Sequence, residues 1–496
     1  MAEIYKTARG VYAYLGPEDE YSTPAVWLAE RISNGMDQWK IIPGRLLRIL
    51  KLPTEAYLSL VGLPAPEDPA WRALVIFTGR EYFRRIWVLQ ELVLAKPRVL
   101  AICGDRTFEI DWLYRACMWL RELKEKGGML LGNGRRPYEM NLLTIVPYLD
   151  YSTEPAELYN LFGRTRHLRS SDPRDKVIAL LSLADREDQT IQPDYEQPVR
   201  DFYRDVAGTM LTKGKCLRML GLVEDRSQTQ IEGLPSWVPD FSVTVGLGAL
   251  GLDTLYKACS ESSCHAQWSN GSDLLVLNAS FVDEVGVVSE LYAHYETNFL
   301  DSFSSWFKTM AVYFGISPEY WVQDLVDAQN SPRADLYQIF WRTIIRDEAD
   351  QKHPAPAVWK QHFASTFCYF LDSEKHIQGS SVNIPSYWPQ EPDDNGIYHC
   401  SGPPDGVRGL FLGSFASNAS SRRFFVTKTG AMGLGLISTK VSDKVAVISG
   451  APELCLLRKN SGDDFTFVGA AYVHGLMHGE SLQSEAFRGF EEVGLV

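Results

Sequence analysis

The chain has 496 residues, 45% hydrophobic, 12% aromatic and 22% charged, which is the composition of a globular protein rather than a disordered one. A net charge of −13 works against nucleic acid or an anionic membrane as a general partner, because both call for a basic surface. The eight cysteines (103, 117, 216, 259, 264, 368, 400 and 455) form no C-x-x-C pair, which argues against a zinc cluster or a disulfide framework and for reduced thiols in the cytoplasm; no apolar run reaches membrane-spanning length and no signal-peptide pattern opens the chain.

Ile4, Tyr5 and Ala8 share one face of a helix, and residues 11–15 read as a strand closed by Gly16. A helix with an aliphatic face is expected over 23–33. Residues 43–63 are apolar but broken by Pro53, with Pro64 just beyond, and read as a variable insertion. Asp68 and Pro69 open the next helix, which carries Trp71, Leu74, Val75 and Phe77 and ends at Gly79. Trp71 and Trp87 are expected in the core, where large aromatics usually pack.

Residues 83–104 are the stretch around which the rest is organised. Between Ile86 and Ala95 only Gln90 and Glu91 are polar, and Leu89, Gln90, Glu91, Leu92 and Leu94 favour a helix. Pro97 ends it, and residues 98–103 read as an inner strand ending at Gly104. Arg84, Trp87, Val88 and Glu91 share a helical face. A carboxylate on so apolar a helix calls for an ion pair, with Arg84 or Arg85, or for a place at a functional cleft.

A short strand over 106–110 leads to a helix from Asp111 through Lys124. Residues 125–140 are glycine-rich and polar and read as a loop; GGMLLGNG lacks the lysine-serine ending of a phosphate-binding loop. Residues 155–206 read as helical, and within them 171–184 carry a cap residue, a proline in the first turn and helical periodicity. Asp172, Arg174 and Asp175 are expected to form an ion-pair knot at a helix start. From residue 272 the period changes. Two strands around a turn are expected at 274–277 and 282–288, aromatic helices over 297–372, a loop over 373–409, and a run of strands from Arg422 to residue 475. The simplest arrangement is one antiparallel module with the helices inserted in its middle. His474 and His478 stand four apart with Glu480 beyond. Gly475 and Gly479 work against the helix that such spacing needs, so no metal site is assigned.

Arg85, Trp87, Val88, Gln90, Glu91 and Ala95, then Cys103-Gly104 and Trp112, follow a pattern that resembles the fungal heterokaryon-incompatibility (HET) domain. The resemblance extends to Ile4-Tyr5 and Gly16, to Ser171-Asp172-Pro173-Arg174-Asp175-Lys176, to Pro193-Asp194-Tyr195, to 236–241 (SWVPDF) and to 472–480 (YVHGLMHGE). In that family two strands, carrying S-Y-x-W-G and D-A-x-C-I-N-Q, precede the segment matched by residues 1–16. Neither motif occurs here, so an N-terminally truncated domain is expected.

The HET domain is in turn similar to the TIR domain, whose W-C-x-x-E-L pattern matches Trp87 through Leu92. The resemblance implies an α/β fold: a partial TIR-like domain over 1–115, its parallel sheet flanked by helices, a helical region over 116–245, and a β-rich module over 246–496 with its helical insertion at about 297–372. It implies Glu91 as the catalytic carboxylate of an NAD glycohydrolase. Trp87, Gly16 and Gly104 would line the nucleotide pocket at the carboxyl ends of the strands. It further implies non-self recognition and regulated cell death through protein partners or self-association in the cytoplasm. The alternative is a catalytically inactive scaffold, and the truncated chain is itself expected to be inactive or weak.

Overall fold

Val11–Tyr14 (β1) and Val99–Cys103 (β2) pair in parallel, Val11 beside Val99 and Tyr14 beside Ile102. The structure is a computed structural model and describes residues 2–39, 54–95, 99–122, 157–184, 191–213, 217–243, 256–259, 264–293, 299–317, 320, 332–349, 352–364, 366–367, 407–483 and 487–496. The readings over 43–53, 125–140 and 373–406 lie outside these residues. The chain divides into two units, Met1–Glu196 and Gln197–Val496.

In the first unit β2 turns at Gly104, whose φ of +56 is open to glycine, and returns antiparallel as β3 (Arg106–Glu109). The order is β1-β2-β3. The sheet is therefore mixed where a parallel one was expected, because the two residues between Cys103 and Arg106 make a hairpin and leave no room for a crossover helix.

Among the described residues, six helices accompany the sheet through residue 122: α1 (Ala2–Thr7), α2 (Ser22–Trp39), α3 (Thr54–Leu60), α4 (Pro69–Thr78), α5 (Val88–Val93) and α6 (Ile110–Glu122). The carboxylate of Asp68 accepts from the amide of Ala70 at 2.8 Å and caps α4, and Gly79 ends that helix by donating to Val75 O. Trp71 is buried as expected, stacked on Trp119 at 5.9 Å, whereas Trp87 is half-buried. α2 packs on both α4 and α6.

The organising helix is shorter than expected, six residues in place of ten. Arg85 bridges to Arg169, with Ile86 N donating to Arg169 O at 2.9 Å, and this pairing draws 84–86 out of the helical path. Next come α7 (Leu158–Thr165) and α8 (Asp175–Leu181). Gln90 on α5 donates to Ala179 O on α8 at 2.8 Å, and buried Lys176 donates to Arg166 O at 2.9 Å and to Leu168 O, closing the carboxyl end of α7.

In the second unit β5 (Leu275–Ala293), β6 (Arg422–Thr427), β7 (Met432–Leu436), β10 (Phe465–Val473), β9 (Leu454–Lys459) and β8 (Lys444–Ile448) pair antiparallel in that order, and β8 returns to β5. The ring is a closed six-stranded barrel, which leaves no free edge. The short strands β4 (Ala266–Trp268) and β11 (Glu491–Leu495) both pair with the start of β5.

Where two strands around a turn were expected, β5 runs unbroken for 19 residues. Between the two expected strands Asn278 and Ser280 pair with Glu492 of β11 and Val447 of β8, and the strand bends at irregularities between Phe281 and Asp283 and between Val285 and Val287. Gly433 lets β6 and β7 close, since a Cβ there would stand 2.4 Å from the Phe425 ring and 2.7 Å from Tyr472 O.

Between β5 and β6 come α10 (Phe299–Tyr313), α11 (Ala334–Ile344) and α12 (Val407–Ala419), while α9 (Val199–Thr212) precedes β4. Their rings pack with one another and with the barrel: Trp306 of α10 meets Phe415 of α12 at 5.3 Å, and Phe340 meets Phe424 of β6 at 5.5 Å. Part of the SWVPDF segment is buried against β10. Trp237 is buried and donates to Asp273 O at 2.8 Å, and Ser236 Oγ accepts from Phe467 N at 2.8 Å.

Candidate functional site

Glu91 lies on α5 and is half-buried. The Tyr82 hydroxyl donates to Glu91 Oε2 at 3.0 Å, and the Tyr5 hydroxyl of α1 lies within the field of this carboxylate. Burial raises both phenols above their ordinary value, and the neighbouring negative charge of Glu91 raises them further. The two hydroxyls therefore remain donors across the physiological range. The expected ion pair is not formed: Arg84 turns to Glu81 at 2.9 Å, and among the described residues no cation lies within 4.0 Å of Glu91. Arg85 acts on the site only through its field. Gln90 and Glu91 face opposite ways, one into α8 and one toward Tyr82. A half-buried carboxylate held by a neutral donor has the character of an acceptor for hydroxyl ligands.

Gly16 and Gly104 meet at the carboxyl ends of β1 and β2. Both have positive φ, +99 and +56, and Gly104 N donates to Gly16 O at 3.1 Å. A Cβ on Gly104 would stand 3.0 Å from Glu18 Cβ, so the backbones need this closeness. Arg80 organises the same end. Its guanidinium donates to Leu15 O at 2.9 Å, to Cys103 Sγ at 3.1 Å and to Ser22 Oγ at 2.9 Å, pairs with Asp19 at 2.7 Å and lies over Phe77 at 4.4 Å. Burial raises the Asp19 carboxyl, but hydrogen bonds from Ser22 and Arg80 outweigh it and hold the group below its ordinary value. Sequence reasoning missed Arg80: it follows the helix break at Gly79 and no periodicity singles it out.

Of the four site residues, Gly16 and Gly104 are joined by a hydrogen bond, and Trp87 and Glu91 share the start of α5. Among the described residues, the hydrogen-bond network of Glu91 shares no member with that of the two glycines. An open hollow of about 510 Å³ lies elsewhere in the unit, lined by Trp27, Glu30, Arg31, Asn34 and Gly62. Trp87, half-buried at the start of α5, takes part through its backbone, its carbonyl accepting from Gln90 N at 3.0 Å and Glu91 N at 3.3 Å.

The expected knot at α8 is present. Asp172 accepts from the Arg174 guanidinium at 2.8 Å, and Arg174 lies over the Tyr195 ring at 5.5 Å. The Tyr195 hydroxyl donates to Asp175 at 2.6 Å, so the two motifs S-D-P-R-D-K and P-D-Y form one contact. Among the described residues no group of three or more His, Cys, Asp or Glu is placed to hold a metal ion, and no helix is long and apolar enough to cross a membrane.

Residues 406–492 match the family described as the Het-6 beta-barrel domain. The match covers α12 and β6 through β10, five of the six barrel strands. No curated protein and no solved structure matches the chain.

Proposed function

We propose that this protein acts in heterokaryon incompatibility, the fungal non-self response that ends in regulated cell death. The observation that carries the reading is the barrel itself. The family match falls on five of the six strands of the ring, β6 through β10, so the likeness rests on most of one structural element. In this reading the protein acts in the cytoplasm through protein partners or self-association, with the barrel unit coupled to a TIR-like α/β unit. Inducible expression of the full chain in a filamentous fungus tests it. Growth arrest with dye uptake is expected, and should be lost with Gly433→Val, which obstructs barrel closure. Sustained high expression with unchanged viability would overturn the proposal.

A second reading, NAD cleavage, is favoured by one observation: the Glu91 carboxylate is half-exposed and has no cationic partner within 4.0 Å among the described residues. Glu91 would accept hydrogen bonds from the ribose hydroxyls and stabilise positive charge as nicotinamide leaves. The scaffold alternative draws on the same site, because the Tyr82 hydroxyl already occupies the carboxylate. Purified protein incubated with NAD separates the two. Nicotinamide release abolished by Glu91→Ala supports cleavage, and no release at high protein concentration leaves the scaffold.

A further inference from the structure

His478 was read with His474, four residues away, but the structure turns it to a different partner. His478 Nε2 faces His353 Nε2 at 3.5 Å, while His474 Nδ1 is engaged with the Tyr472 hydroxyl at 3.0 Å. His353 comes from the insertion between β5 and β6, and His478 from the turn after β10.

Hydrogen bonds hold the described residues that flank each histidine. On one side Ala349 and Lys352 exchange backbone hydrogen bonds at 2.9 and 3.1 Å, Ala355 N donates to Asp347 at 3.1 Å, and Arg342 binds both Asp347 and Ala355 O. On the other, His474 N donates to Met432 O at 2.9 Å, buried Met477 accepts from Val473 N through sulfur, and Glu480 accepts from His478 N at 2.7 Å. The Tyr256 ring stands beside both imidazoles, 5.9 Å from His353 and 6.2 Å from His478.

A separation of 3.5 Å is long for an imidazole–imidazole hydrogen bond, which falls at about 2.7–3.2 Å. It suits a different geometry. Two nitrogens each about 2.0–2.1 Å from one tetrahedral centre stand roughly 3.4 Å apart. Imidazole nitrogen is a favoured donor for zinc, copper and nickel ions. The carboxylates of Asp347 and Glu480 add negative field at His353, against the positive charge of Arg342.

We propose that His353 and His478 bind a divalent first-row transition-metal ion through their Nε2 atoms, with solvent filling the remaining coordination positions. His478 is exposed, so the ion enters directly from solvent. Bound there, it staples the helical insertion to the barrel's C-terminal turn and stabilises this unit by mass action. The proposal is independent of the cell-death reading.

Zn(II) alone is the probe, added to the full chain after treatment with a chelator and followed by calorimetry and by thermal unfolding. One equivalent is expected to bind and to raise Tm. An outer-shell partner of a metal ligand is already worth about 10–100-fold in affinity, so His353→Ala and His478→Gln should each cost at least that. His265→Ala, at an exposed histidine elsewhere, should change nothing. The exposed position of His478 makes its Gln variant the safer test of folding, and an unchanged metal-free Tm confirms the fold. Absence of binding at millimolar Zn(II), or binding that survives both substitutions, would overturn the proposal.

Discussion

The Tyr82 hydroxyl donates to Glu91 Oε2 across 3.0 Å, and this contact replaces the guanidinium that an acidic residue on an apolar helix was expected to need. Hydrogen bonds to a charged acceptor are worth about 1.5–3 kcal/mol. Tyr82 is 8% exposed, so water does little to replace a lost donor. A double-mutant cycle with Tyr82→Phe and Glu91→Gln, followed by urea unfolding, should show a coupling of about 1 kcal/mol or more. Strictly additive effects would mean that the contact contributes nothing to the fold.

Glu453 carries a pH dependence of definite sign. It is 2% exposed and its Oε1 has no hydrogen-bond partner among the described residues. Burial pushes its carboxyl from 4.5 up to about 7, against the fields of Arg218, Arg422 and Arg346. Below the unfolded value of 4.5 both states hold the proton and the group costs nothing. As pH rises to about 7 the unfolded chain releases its proton while the fold retains it, so stability falls through that window, and above it the loss is complete. Linkage puts the loss at about 3 kcal/mol. Glu453→Gln should therefore be more stable than the parent at pH 8, with the gap closing toward pH 4.5. A gap that does not change with pH would refute this assignment.

Much of the barrel was legible in the sequence, and the reason is local. Strands β6 through β10 are short runs of β-branched, aromatic and leucine residues bounded by glycine, serine or aspartate, so each announces itself without its neighbours. The unbroken course of β5 was not legible, because Asn278 and Ser280, between the two expected strands, find their partners only in β11 and β8. The same limit holds at the candidate site. Glu91 stood out as a carboxylate among apolar residues, but its partner Tyr82 and the clamp at Arg80 follow from tertiary contacts that no period encodes. The match between Gln90 and Ala179 spans 89 residues and shows why two distant motifs accompany each other.

Arg80 holds four groups at the carboxyl ends of β1 and β2, and its forked geometry is what allows it. A lysine keeps the charge but offers a compact ammonium that cannot span Leu15 O and Ser22 Oγ together. Arg80→Lys should lower stability by about 1–3 kcal/mol through the donors it leaves out. The effect should show first as faster amide exchange at Leu15 and Cys103. Unaltered exchange there would show that the strand ends are held without it.

Lys176 presents the complementary case of a buried cation. It is 6% exposed and its ammonium donates to the carbonyls of Arg166 and Leu168, beyond the last turn of α7. His167 lies beside it, and burial first, then the charge of Lys176, lowers that imidazole to about 4, so the histidine stays neutral and leaves the lysine as the local cation. Lys176→Met fills the same space with an apolar chain and removes the ammonium's hydrogen bonds to two carbonyls, which should cost about 1–3 kcal/mol in chemical unfolding. Removing the charge also relieves His167, whose pKa should rise toward its ordinary 6.5. NMR titration of the His167 ring in the variant checks this second effect independently of stability. A value still near 4 would mean that burial alone sets it.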